Sequence, residues 1–129
     1  MNKITIITEG APLPVGPYSQ GIRAENLVFV SGQIPLDPNT GELVDGDMRV
    51  QTQRALKNVE AILLAGNSSF DKTLKMTVYL SDIADFSTVN DVFGEIFSQQ
   101  PPAREAVQVA ALPKGARIEI SAIGLATTQ

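Results

Sequence analysis

Between Thr73 and Leu80 the chain alternates with a period of two. Leu74, Met76, Val78 and Leu80 fall on one side and Lys75, Thr77 and Tyr79 on the other, which predicts a strand. Two stretches instead repeat at helical spacing. Val50, Ala55, Leu56, Val59, Ile62 and Leu63 follow Asp47, a candidate N-cap, and run to Gly66-Asn67, which supply a stop. Phe86, Val89, Phe93, Ile96 and Phe97 follow Asp85 and end before Gln99-Gln100-Pro101-Pro102. That aromatic stripe reads as core rather than as a cofactor box.

KITII at 3–7 is short, apolar and β-branched, which suits a first strand. Ser19 to Gly32 reads as two strands joined near Ala24-Glu25-Asn26. The continuous apolar run Leu27–Val30 in the second of them predicts burial on both faces and a place toward the sheet centre. AREAVQVAAL, the turn Pro113-Lys114-Gly115 and ARIEISAIGL together predict a hairpin. Two turn-rich stretches interrupt these elements. One carries Pro12, Pro14 and Pro17 and leads to Tyr18; the other runs from Gln33 to Asp47 through Pro35, Pro38, Gly41 and Gly46.

The resulting order, β-β-β-α-β-α-β-β, describes a single α+β domain over residues 1–129. Two amphipathic helices cover one face of the sheet. The other face is expected to carry Tyr79, Arg104 and Glu119 with apolar neighbours, as a subunit interface or as a polar face open to water.

A hydrophobic share of 43% against 19% charged permits a buried core, and the formal charge of -4 offers phosphate backbones no general attraction. The ten basic residues are scattered from Lys3 to Arg117, so no nucleic-acid partner is expected. With Cys 0 and His 0, a thiolate nucleophile, an imidazole base and a zinc site built on either residue are excluded within one chain. Any catalysis must use carboxylates, Tyr, Lys, Arg, hydroxyls or backbone groups. Met1 leads into Asn2-Lys3-Ile4-Thr5 without a long apolar segment, and no apolar run approaches membrane-spanning length, so a cytoplasmic protein without membrane partner is expected.

Arg104 and Glu119 are charged positions within strands expected to pair. They form either an exposed cross-strand ion pair, or a site in which Arg104 presents its fork to a substrate carboxylate while Glu119 manages a proton or orients a water. Ser31 and Gly32 close the third strand, either as a plain turn or as a hydroxyl and an unobstructed N–H facing a ligand. Tyr18 covers a pocket or is an ordinary half-buried tyrosine, and Lys114 reads as a solvated turn charge.

GPYSQG at 16–21, SGQIPLDPNTGEL at 31–43, QTQRALKNVEAIL at 51–63 and PAREAVQVAALPKGARIEISAI at 102–123 closely resemble the YjgF/RidA family of imine and enamine deaminases. KMTVYLSDIADFSTVNDVF at 75–93 fits as well, so the resemblance covers nearly the whole chain. It implies a chorismate-mutase-like α+β subunit in a homotrimer, with clefts between subunits. The implied reaction is hydrolysis of 2-aminoacrylate, 2-iminobutanoate or 2-iminopropanoate to 2-keto acids and ammonia, without cofactor or metal. By the same resemblance Arg104 binds the substrate carboxylate, Glu119 positions or activates water, Tyr18 and Ser31 line the cleft, and backbone groups of Gly32 and Ala106 hold the substrate. Asn90 matches a recurrent asparagine. Ala106 stands where many relatives carry cysteine, yet water adds to an imine carbon without a sulfur adduct. Ser121 replaces a frequent acidic residue and leaves Glu119 the only carboxylate of its strand. The other reading of the same cleft is a non-catalytic metabolite-binding regulator.

Overall fold

The computed structural model describes residues 2–127. Helix α1 (Met48–Ala65) starts where Asp47 Oδ1 accepts the N–H of Val50 at 3.0 Å, and stops at Gly66, whose N–H returns to the Ile62 and Leu63 carbonyls. Asn67 then takes the left-handed conformation, with φ 66°. Ala55, Leu56, Val59, Ile62 and Leu63 are buried against the sheet as their spacing predicts, but Val50 lies off that stripe and is 40% exposed. Helix α2 (Phe86–Ile96) buries Val89, Val92 and Phe93.

The strands are β1 (Lys3–Ile6), β2 (Gly21–Ala24), β3 (Leu27–Gln33), β4 (Thr73–Leu80), β5 (Ala103–Gln108) and β6 (Ile118–Leu125), with short 3-10 turns at 70–72, 83–85 and 113–115. The element order is the expected one. All six join one sheet in the order β1-β2-β3-β6-β4-β5. Every pairing is antiparallel except β4 with β5. Val28, Val30, Met76, Val78, Leu80, Ile118 and Ile120 point to the helices and form the core with them.

Three expectations are corrected. The last two strands do not form a hairpin, because β4 lies between β5 and β6. Parallel strands need a crossover, and α2 supplies one, so β4-α2-β5 is a βαβ unit and the segment after β5 returns the chain past β4 to β6. Leu74 does not share a face with Met76. A register slip against β6 between Thr73 and Lys75 turns Thr73 inward and leaves Leu74 44% exposed. Strand β3 is internal, but both helices lie on one side of the sheet, so Phe29 remains 41% exposed. The uncovered face carries the cross-strand row Ile22, Phe29, Ile123 and Lys75, and beyond it Ser121 with Thr77 and Glu119 with Tyr79. No helix among the described residues is long and apolar enough to cross a membrane.

Candidate functional site

The Pro-rich segment before β2 owes its path to a buried side chain. Gln20 Nε2 donates to the carbonyls of Thr8, Ala11 and Pro12 at 2.9, 3.2 and 2.9 Å, and its Oε1 accepts the Thr8 N–H at 2.8 Å. One amide thereby serves four backbone groups of an irregular segment, its two N–H donors shared among three carbonyls and its oxygen accepting one N–H. Sequence reasoning passed over Gln20, since a lone glutamine carries no pattern. The segment so held brings Leu13, Val15 and Tyr18, the last 51% exposed, to the rim of a cavity.

The floor comes from β3 and β6. Opposite β6 the register of β3 is interrupted between Val30 and Gln33, where Ser31 and Gly32 lie. The Ser31 N–H donates to the Gln20 carbonyl at 2.9 Å and its hydroxyl to the Ser19 carbonyl at 2.6 Å, so the side chain is anchored. A Cβ placed on Gly32 would collide with the Glu119 carboxylate and come within 2.8 Å of its Cδ. Glycine here lets the carboxylate lie directly against the β3 backbone. Glu119 is half-buried, and burial pushes its carboxyl above the ordinary carboxylate range. Lys114, expected only as a solvated charge, takes φ 58° in its turn and lines the same 410 Å³ cavity, with its ammonium donating to the Gly41 carbonyl at 3.4 Å. Tyr18, Ser31, Gly32 and Glu119 therefore meet as one group.

Arg104 does not join them. It stands opposite Met76 in the β4–β5 register, on the helix side of the sheet, whereas Glu119 stands opposite Tyr79 on the uncovered side. Residues 76 and 79 of one strand point to opposite faces, so the expected cross-strand Arg104–Glu119 pair is absent and Arg104 leaves the uncovered face. The guanidinium lies at the sheet edge instead. Its Nη2 donates to Asn90 Oδ1 at 2.6 Å, and its carbon sits 4.9 Å from the centroid of Phe93 and 5.4 Å from that of Phe86. The aromatic stripe of α2 is thus a platform for a cation as well as core. Among the described residues no carboxylate forms an ion pair with Arg104. It borders a second cavity of 420 Å³ with Asn90, Phe93, Gly94, Phe97 and the Pro101-Pro102 turn. Ala106 shares the Arg104 face, packs against the core and lines neither cavity.

The described residues thus hold two separated groups, a carboxylate with raised proton affinity among hydroxyls and a guanidinium with no carboxylate partner among them. Residues 8–126 match the family model described as Endoribonuclease L-PSP. A RutC family protein of Pyrococcus horikoshii is 52% identical over 121 residues, covering 94% of this chain and 96% of its own. The human 2-iminobutanoate/2-iminopropanoate deaminase is 47% identical over 120 residues, which are 93% of this chain and 88% of the human protein. The crystal structure of E. coli TdcF with bound serine matches with a TM-score of 0.91 at 42% identity, covering 96% of this chain and 99% of that one.

Proposed function

The chain belongs to the YjgF/RidA family, and on that premise we propose that it is a hydrolytic deaminase of reactive enamine and imine intermediates. Its substrates are 2-aminoacrylate, 2-iminobutanoate and 2-iminopropanoate, and its products 2-keto acids and ammonia. The observation that carries this reading is the Glu119 carboxyl, held against Gly32 in a cavity with Tyr18 and Ser31 and made easier to protonate by burial.

In the proposed reaction Arg104 grips the substrate carboxylate with parallel N–H donors, which sets the C=N carbon at a fixed distance from Glu119. For an enamine, protonated Glu119 delivers its proton to the terminal carbon and the C=C electron pair forms the new C–H bond, leaving an iminium. Glu119, now ionised, accepts a proton from water as the water oxygen bonds to the iminium carbon. The tetrahedral intermediate passes its hydroxyl proton to nitrogen through Glu119 and expels ammonia. Water is consumed, one C–N bond breaks and one C=O bond forms. The Tyr18 and Ser31 hydroxyls and the Gly32 backbone orient the substrate, joined across the subunit boundary by the Ala106 backbone on the β5 edge that carries Arg104. Such intermediates hydrolyse unaided, so positioning worth a few kcal/mol suffices for a useful rate, on the order of a hundredfold per 3 kcal/mol.

The opposite placement of Arg104 and Glu119 supports clefts that form between subunits, the β5 edge of one chain supplying Arg104 to the Glu119 cavity of the next, and the family resemblance makes the assembly a homotrimer. A net charge of -4 and the absence of histidine favour deamination over the RNA cleavage that the family description names. The serine bound to the E. coli relative favours a small amino-acid-like ligand, which a non-catalytic metabolite-binding regulator would also hold. Keto-acid release separates the two readings. Added to a pyridoxal-phosphate dehydratase acting on serine or threonine, the protein is expected to accelerate the appearance of pyruvate or 2-oxobutanoate. An unchanged rate, with binding retained, leaves the regulator.

A further inference from the structure

An arginine held by a carboxylate is neutralised by it. Arg104 is held differently. Helix α2 places Phe86, Asn90 and Phe93 four and then three residues apart, on one face of the helix and beneath the guanidinium. The two rings lie 5.4 and 4.9 Å from its carbon and bring it no negative charge, while Asn90 accepts from one N–H with a neutral amide oxygen. Orientation is gained and the positive charge is kept. Asn90 is exposed and packs into no core cluster, and its side chain makes this one hydrogen bond among the described residues.

We propose that Asn90 and Phe86 are positioning residues that hold the Arg104 fork in one orientation as a ready-made carboxylate receptor, a role that rests on the deaminase reading above. The grip on the carboxylate both captures the substrate and sets the C=N carbon against Glu119, so loss of the cradle raises KM and also lowers kcat. Asn90→Ala frees the guanidinium to wander. Asn90→Asp keeps the size and the hydrogen bond but supplies a charge that occupies the fork. Phe86→Leu keeps an apolar side chain and removes one ring.

The test is steady-state kinetics on 2-aminoacrylate for these three variants, with thermal melts and calorimetric affinity for 2-oxobutanoate on the same samples. Asn90→Ala is expected to raise KM about three- to tenfold and Asn90→Asp more than about tenfold. Phe86→Leu is expected to raise it about threefold. In all three kcat should fall alongside the rise in KM, and the affinity for 2-oxobutanoate should fall in step with KM. Melting points of both Asn90 variants should match the wild type. Wild-type KM and affinity in both Asn90 variants overturn the cradle and leave deamination standing, as does a fall confined to kcat. A wild-type protein that accelerates no keto-acid release sinks deamination instead. The 2-oxobutanoate affinities then decide: weakening in the Asn90 variants upholds the cradle, and no wild-type binding overturns it too.

Discussion

Gly32 and Glu119 occupy one space, and the two predict different failures. Gly32→Ala introduces a methyl group where the carboxylate lies, and the carboxylate, at the end of a flexible side chain, is the group that yields. The fold should lose about 1 kcal/mol, while a carboxyl displaced by an ångström should cut deaminase turnover about a hundredfold. Melts and kinetics on one sample check both. Glu119→Gln removes the proton transfer and keeps the shape, so turnover should nearly vanish in a folded protein. Its stability has a sign. Burial raises the folded-state pKa of Glu119, so the folded chain binds the proton more tightly than the unfolded one. Wild-type stability from this group is full below the ordinary carboxyl pKa and is lost as pH rises through the raised value. The glutamine variant should therefore melt above the wild type at neutral pH, and its lead should close on acidification. A lead independent of pH would contradict the desolvation of Glu119.

At the scale of elements, local chemistry was legible where partners are near in sequence. Asp47 caps α1 as its position before the periodic stretch predicts, and the cap lies outside both cavities. Asp47→Ala should cost about 1 kcal/mol, or about 3 to 5 °C in Tm, with deaminase activity unchanged. A lost activity would tie α1 to the site. Strand partners were less legible. The two apolar stretches around Pro113-Lys114-Gly115 look like a hairpin, since nothing within them reports that β4 already occupies the place between. Alternation assigns a residue to one of two faces without saying which face meets the helices. Arg104 went astray on that ambiguity, because both sides of AREAVQ carry a mixture of polar and apolar residues.

For the whole molecule, six strands with helices on one side leave Phe29, Ile22 and Ile123 in a row on the other. A homotrimer that buries this face should sediment as three chains at micromolar concentration, and Phe29→Glu should release folded monomers with little deaminase activity. Because the proposed site needs Arg104 and Glu119 from different subunits, mixing inactive Arg104→Ala with inactive Glu119→Gln and re-forming trimers should restore part of the activity. Fully active monomers, or no restoration in mixed trimers of proven composition, would refute shared sites.

Element order, helix limits, the Asp47 cap and the exclusion of cysteine and histidine chemistry followed from sequence, because periodicity, capping and composition are local or additive properties; the candidate site residues were singled out by the family resemblance. Tertiary structure decided what depends on residues far apart in the chain. It inserted β4 between β5 and β6, sent Arg104 to the α2 face, and made Gln20 the tie of the Pro-rich segment. It also made Gly32 the space for Glu119 and recruited Lys114 to the cavity wall. Each of these is a matter of which strand lies beside which and in what register, a choice made by burying a common core rather than by any segment alone.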